Sequence, residues 1–257
     1  MGRVRLDSLL AERGLFASRT RAAAAVLAGD VRLGAGRRRA EKPGQLVDPG
    51  IELTVAEPAP YVSRGGVKLA NALDALGVPV AGRLCLDVGA ATGGFTDCLL
   101  QRGAAGVVAV DVAYGELDWR LREDPRVTAL ERVNARALTP DQLPYRPQLV
   151  AIDVSFISLG KVLAAVLACC AEGFDCLALV KPQFEVGRER VGGGGVVRDA
   201  ALRQEAVAAV AECARGLGAS VRGSAPSGLE GPSGNRETFL WLAEGTRGGP
   251  PGPVTAW

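Results

Sequence analysis

The sequence predicts an α/β protein, a doubly wound and largely parallel sheet of seven strands preceded by a small basic α+β unit. Three observations lead there. From about residue 63 onward, short runs rich in Val, Ile and Leu alternate with longer stretches of helical period, the pattern of strands covered by helices on both faces. The first of these runs leads into Gly89-Ala90-Ala91-Thr92-Gly93-Gly94, where glycines allow a sharp strand-to-helix turn and close backbone approach to a ligand. The charge is also unevenly placed. Net charge is +2, but residues 1–42 carry ten Arg/Lys against four Asp/Glu, and the remainder is weakly acidic. A basic end on a mildly acidic body suits contact with a polyanion.

The first unit is expected over residues 1–57. Leu6, Leu9 and Leu10 recur at helical spacing in a segment that ends at Gly14, and Ser18 opens a second helix, Arg19 to Ala28, stopped by Gly29. Asp30–Leu33 and Ile51–Val55 alternate as short strands, with a basic turn at Arg37-Arg38-Arg39 between them. Glu57-Pro58-Ala59-Pro60 has the composition of a stiff linker, placed at residues 58–62.

The second unit is expected over residues 63–244. A helix over Val67–Leu76 precedes strands at Leu84–Val88, Val107–Val112, Val127–Leu130, Leu149–Val154 and Cys176–Val180. Helices are expected at Phe95–Arg102, Leu159–Ala171 and Ala200–Leu217. The last strands, Ser220–Ala225 and Thr238–Ala243, are joined by a Gly/Pro-rich loop without a helix, so they should pair antiparallel. Residues 245–257 are rich in Gly and Pro and are expected to be disordered.

Composition narrows the chemistry. There is no histidine, which excludes Ser-His and Cys-His nucleophiles and makes a zinc site improbable beside six cysteines that form no C-x-x-C pair. No metal is expected. The cysteines read as small buried hydrophobes of a reducing compartment. No apolar signal segment and no membrane span is legible, so a cytoplasmic protein is expected. Acid–base work must fall to Lys, Asp, Glu, Tyr or Cys. Lysine is scarce, with Lys42, Lys68, Lys161 and Lys181 against twenty-six arginines. Arginine cannot give up its proton, so in such a chain a lysine is needed where a group must lose its proton. Lys181 ends the fifth strand of the large unit, and Lys68 follows the linker.

Asp111 at the end of the second strand of that unit can accept both ribose hydroxyls of an adenosine. Asn134 after the third strand and Asp153 after the fourth extend a ring at the carboxyl ends of the strands. The glycine spacing is not G-x-G-x-x-G, so a dinucleotide fingerprint does not fit.

Four resemblances follow from these residues. R-L-D-x-x-L, then R-G-x-x-x-S-R-x-x-A and Gly29-Asp30-Val31, resemble the S4 RNA-binding domain. This implies that Arg13, Ser18, Arg19 and Arg21 face RNA phosphates; Arg5 and Arg64 are expected as further RNA contacts. D-x-G-A-x-T-G-G-F-T resembles the cofactor motif of RNA 2′-O-methyltransferases and implies that Asp87, Gly89, Gly93, Gly94 and Phe95 contact S-adenosylmethionine. Lys68, Asp153, Lys181 and Glu237, in that order, resemble the Lys-Asp-Lys-Glu tetrad of the FtsJ-like enzymes. Lys181 would then deprotonate or steady the attacking 2′-oxygen, Lys68 would ease proton loss by like-charge repulsion, and the carboxylates would hold both lysines.

With S-R-G-G-x-K-L, D-V-S-F-I-S-L, L-V-K-P-Q-F-E-V-G and G-P-S-G-N-x-E-x-F-L-W-L, the chain through about Ala243 resembles the TlyA, or hemolysin A, family. That implies a Rossmann-like methyltransferase sheet and 2′-O-methylation of cytidine in ribosomal RNA (16S, 23S or both), with ribosomal subunits as partners and no membrane. Gly66, Val67 and the Pro60-Tyr61 pair depart from the family pattern. An RNA-binding protein without catalysis and a pore-forming hemolysin are the rival readings.

Overall fold

A computed structural model describes residues 2–56 and 59–245. The expected linker falls partly outside these residues, at 57 and 58, and the expected disordered tail falls outside them from residue 246 on. The chain separates into two compact units, Met1–Ala59 and Pro60–Trp257.

In the first unit β1 (Val4–Arg5) leads directly into α1 (Leu6–Glu12), and α2 (Arg19–Ala28) follows. Then come β2 (Val31–Leu33), β3 (Arg38–Arg39), β4 (Leu46–Val47) and β5 (Leu53–Val55). β2 lies between β3 and β5, antiparallel to both, while β1 pairs with β4. Ser18 caps α2 by accepting the Arg21 N–H at 3.2 Å, and Gly29, at φ +88°, ends it in the left-handed region. Leu6, Leu9, Leu10, Ala22, Val26 and Val31 form the core. Beside it Asp7 is buried but paired with Arg5 at 2.7 Å and Arg19 at 3.3 Å. The Arg5 guanidinium above all holds the Asp7 carboxyl down at about 2.

The expected basic turn at 37–39 is shorter than the sequence suggests. Gly34 and Arg37 both take positive φ, which closes a tight turn and returns Arg38 and Arg39 onto Leu33 and Arg32 as a strand.

The second unit begins with α3 (Arg64–Leu76), followed by β6 (Leu84–Val88), α4 (Gly94–Gln101), β7 (Gly106–Asp111), α5 (Trp119–Arg122) and β8 (Val127–Glu131). It continues with β9 (Leu149–Ile152), α6 (Leu163–Ala168), β10 (Asp175–Val180), α7 (Pro182–Glu185), α8 (Ala200–Gly216), β11 (Ala219–Pro226) and β12 (Thr238–Glu244). The seven strands lie in the order β11-β12-β10-β9-β6-β7-β8. The five from β10 to β8 are parallel, and β12 enters antiparallel between β10 and β11.

Alternate residues of each strand serve opposite faces. Cys85, Val107, Ala109, Leu149, Ala151 and Leu177 meet α3 and α4. Leu86, Val108, Val110, Val150, Ile152 and Cys176 meet α6 and α8. Burial on both sides is the reason these strands read as unbroken apolar runs.

Two expectations need correction. The helix expected over Leu159–Ala171 is a 3-10 turn at Leu159–Lys161 followed by the short α6, which ends at Ala168, and Ala171 then donates to the Pro147 carbonyl and draws the chain back to the sheet. The strands expected to reach Val112 and Val154 stop at Asp111 and Ile152, which frees the residues at their carboxyl ends.

The chain passes from β6 outward through β7 and β8, then returns to β9 on the other side of β6. This reversal opens a crevice at the carboxyl ends of β6 and β9, the usual ligand position in open α/β sheets. Phe239 of β12 is fully buried, and its ring centroid lies 5.8 Å from that of Phe95. Phe239→Ala is expected to lower unfolding free energy by about 3–5 kcal/mol. Urea denaturation measures this, and a loss below about 1 kcal/mol would remove Phe239 from the core.

Candidate active site

The crevice is narrow because Gly89 allows it to be. At φ +85° a side chain would be strained, and a Cβ there would lie 2.4 Å from the Asp153 carbonyl oxygen. The next turns crowd equally closely. A Cβ on Gly94 would meet Ser63 Oγ at 2.2 Å and the Gly66 nitrogen at 2.9 Å, so the N-termini of α3 and α4 converge on one place. Gly66, one of the departures from the family pattern, leaves room for Tyr61, whose Cγ would lie 2.3 Å from an added Cβ. Asp97 of α4 ties down the same segment by accepting the Val62 N–H at 2.8 Å.

Three cavities meet here. One of about 510 Å³ is lined by Ser63, Arg64, Gly89, Gly94, Phe95 and the four expected catalytic residues. A second, about 480 Å³, runs from Gly89, Asp153 and Ser155 to Asp111, Glu116 and Asn134. A third, about 1040 Å³, lies beyond Lys181, lined by Arg136, Phe156, Lys161, Phe184 and Arg188 among others.

The four expected catalytic side chains come together as two ion pairs. Lys68 Nζ lies 2.5 Å from Glu237 Oε2, with both residues buried. Lys181 Nζ lies 2.6 Å from Asp153 Oδ1 and donates to Ser155 Oγ at 2.7 Å. Each lysine sits where the local chain demands little else. Lys68 is on the first turns of α3, and Lys181 precedes Pro182, which starts α7 at the position where a missing N–H does no harm.

Of the expected cofactor residues, Gly89, Gly94, Phe95, Asp111, Asn134 and Asp153 line the cavities. Asp111 accepts the Ala91 and Ala113 N–H groups at 2.8 Å each, which fixes the carboxylate at the cavity wall. Asp87 and Gly93 line none of the three. Asp87 is wholly buried beneath the loop and accepts the N–H and O–H of Thr96 at 2.9 and 2.7 Å. It fastens β6 to α4, and burial raises its carboxyl to about 7. Gly93 packs against Leu117 and Leu121.

Among the expected RNA contacts, Arg5 and Arg19 pair with Asp7, and Arg13 donates to the Ile51 carbonyl at 2.8 Å and to that of Pro49. Arg21 is exposed on the first turn of α2. Arg64 donates to the Glu230 carbonyl at 2.8 Å at the rim of the first cavity.

Sequence reasoning missed Ser155 and Phe156. Phe156 is 92% exposed, holds φ +65° and stands against Phe184, with ring centroids 5.3 Å apart. A left-handed backbone at a bulky residue costs on the order of 1–3 kcal/mol, and such strain persists where surrounding structure enforces it. Here Glu185 enforces it by accepting the Ser158 O–H at 2.6 Å and the Leu159 N–H at 2.9 Å. The motif D-V-S-F-I-S-L shows these residues but not that backbone.

The six cysteines are unpaired, and burial pushes Cys85 up to about 12 and Cys98 to about 11. Among the described residues no helix is long and apolar enough to cross a membrane.

The FtsJ-like methyltransferase family matches residues 61–244. The 16S/23S rRNA (cytidine-2′-O)-methyltransferase TlyA of Mycobacterium tuberculosis is 52% identical over 242 residues, covering 93% of this chain and 90% of that protein. Hemolysin A of Brachyspira hyodysenteriae is 36% identical, covering 82% and 89%. A solved hemolysin-named structure from Streptococcus thermophilus superposes with a TM-score of 0.74 at 40% identity, covering 98% of this chain and 91% of that one.

The Asp87 carboxyl has a stability signature. The folded state keeps a proton up to about pH 7 that the unfolded chain loses near its ordinary value of 3.8, so stability falls as pH rises between those values and is level above. Asp87→Asn, which carries no such proton, should gain on the wild type by about 1.4 kcal/mol per pH unit across that window. Denaturation of both proteins at pH 5, 6, 7 and 8 measures the difference. A constant difference would contradict the raised value.

Proposed function

This chain belongs to the TlyA (hemolysin A) family of FtsJ-like methyltransferases, and on that premise we propose that it methylates a cytidine ribose 2′-hydroxyl in ribosomal RNA. The observation that carries the reading is the pairing of Lys68 with Glu237 and Lys181 with Asp153 around one cavity, at the crevice between β6 and β9.

S-adenosylmethionine is the cofactor, and when bound it supplies an electrophilic methyl group on a sulfonium. The residues present fit it. Asp111, already oriented by two backbone N–H groups, can accept ribose hydroxyls, and Asn134 lies in the same cavity. The converging N-termini of α3 and α4, with Arg64 at the rim, suit the cofactor's carboxylate. Gly89 and Gly94 supply the close backbone approach.

The attacking hydroxyl is a weak nucleophile at neutral pH and needs a base or a fixed cation. Lys181 opens on both the cofactor cavity and the larger basic one, which makes it the group to receive the 2′-proton or to hold the oxygen. Lys68, paired with Glu237, faces the same cavity. In-line placement of the oxygen contributes the rest of the acceleration.

The first unit we take as an S4-type RNA-binding domain over residues 1–57, with Arg19 and Arg21 of α2 offered to phosphates and Arg5 sharing Asp7 with Arg19. Ribosomal subunits would be the partners and the cytoplasm the site of action, in keeping with six free thiols.

Transfer of labelled methyl to small and large ribosomal subunits, tested separately, decides the reading. Wild-type protein should place label at a 2′-oxygen, and Lys181→Ala should lose at least about a hundredfold in rate. Cofactor binding without transfer to either subunit would overturn it. Arg21→Ala should leave the rate at saturating RNA unchanged, weaken RNA binding and reduce its salt slope by about one. An unaltered salt slope would remove Arg21 from the RNA interface.

A further inference from the structure

We propose that Ser155 is a positioning residue for Lys181, fixing the directions in which the lysine's open valences point. The proposal rests on the methyl-transfer reading. Lys181 Nζ has four valences. One is its bond to carbon and one is given to Ser155 Oγ at 2.7 Å, while Asp153 Oδ1 lies 2.6 Å away as an ion-pair partner outside hydrogen-bond geometry. Two others remain, both N–H in the ammonium, one of them a lone pair in the amine. With Asp153 alone, the nitrogen could turn about its bond to carbon and still keep the ion pair. The hydrogen bond to Ser155 stops that rotation and fixes where the remaining valences point.

Ser155 stands where that direction matters, since it lines all three cavities. It lies between the cavity bounded by Lys68 and Glu237, the one reaching Asp111, and the large one beyond Phe156. The charged groups around the Lys181 nitrogen are therefore Asp153, which it contacts, and the Lys68–Glu237 pair across the first cavity.

The position of Ser155 is built rather than incidental. The next residue, Phe156, is held at φ +65°, and Glu185 clamps the loop through Ser158 and the Leu159 N–H. Nothing in the packing requires the hydroxyl. Ser155 is exposed, and Lys181 is its hydrogen-bond partner among the described residues. Removing it leaves no cavity in the core, so its loss can be read without loss of the fold.

Steady-state methyl transfer to ribosomal subunits by wild type, Ser155→Ala, Ser155→Thr and Glu185→Gln tests this. Ser155→Ala should lower kcat by about tenfold to a hundredfold while KM for cofactor and for RNA stays the same, because the lysine is misdirected rather than removed. Ser155→Thr keeps the hydroxyl and should restore most of the rate. Glu185→Gln loosens the clamp and should lower kcat in the same direction, and adding it to Ser155→Ala should cost less than the two single losses together. Unchanged kcat in Ser155→Ala, a rise in KM alone, or a loss that threonine does not repair would each overturn the proposal. Wild-type protein that transfers no methyl would fail the underlying reading, an outcome visible in the same assay before any variant is compared.

Discussion

The backbone of Gly89 lies against the carbonyl of Asp153, and the whole site is arranged around that contact. A parallel sheet whose strand order reverses between β6 and β9 parts at their carboxyl ends, and the width of the gap depends on what residue 89 carries. With a hydrogen there, Asp153 can stand at the gap with its carboxylate turned to Lys181. A methyl group would collide with main chain, which cannot swing aside as a side chain can. The glycines at 66 and 94 repeat this logic one layer out, where α3 meets α4 and carries Lys68 to the same cavity.

The two lysine–carboxylate pairs are hard to account for as stabilising devices. Burying an ion pair removes two charges from water at several kcal/mol per ion, and an apolar replacement is often neutral or better. The Lys68–Glu237 pair, with both partners buried, therefore points to a use other than holding the fold. Arginine would hold a carboxylate more firmly and stay charged in all conditions. Twenty-six arginines in the chain show how readily that residue is used where charge alone is wanted, so lysine at both inner positions argues for a group whose proton matters. Ser155 fits the same view, as a neutral partner that directs Lys181 without adding charge.

The sheet was legible because burial on both faces leaves a plain mark, and each of the seven strands stands within two residues of its expected position. That Lys68, Asp153, Lys181 and Glu237 would converge was expected from their order along the chain and its resemblance to a known tetrad, and they do line one cavity. What escaped reading had no periodic signal. Two-residue strands such as Leu46–Val47 are too short to show alternation. The early end of α6 goes with a hydrogen bond from Ala171 to Pro147, distant in sequence. Asp87 was expected to touch the cofactor, but its place beneath the loop depends on Thr96 nine residues on, and such pairing leaves no trace in composition. The loop at Ser155 and Phe156 depends on Glu185, which a list of residue types cannot connect to it.

The insertion of β12 between β10 and β11 carries a consequence for synthesis. Glu237 is joined to Lys68 across 169 residues of chain, and the strand beside it is inserted one place in from the edge of the sheet instead of extending its rim. While the chain grows from its amino end, α3 and the parallel strands can assemble first, but β10 then presents an open apolar edge prone to foreign pairing. Lys68 lacks its carboxylate until translation has passed residue 237. The strand that brings Lys68 its partner is thus the same one that seals the sheet.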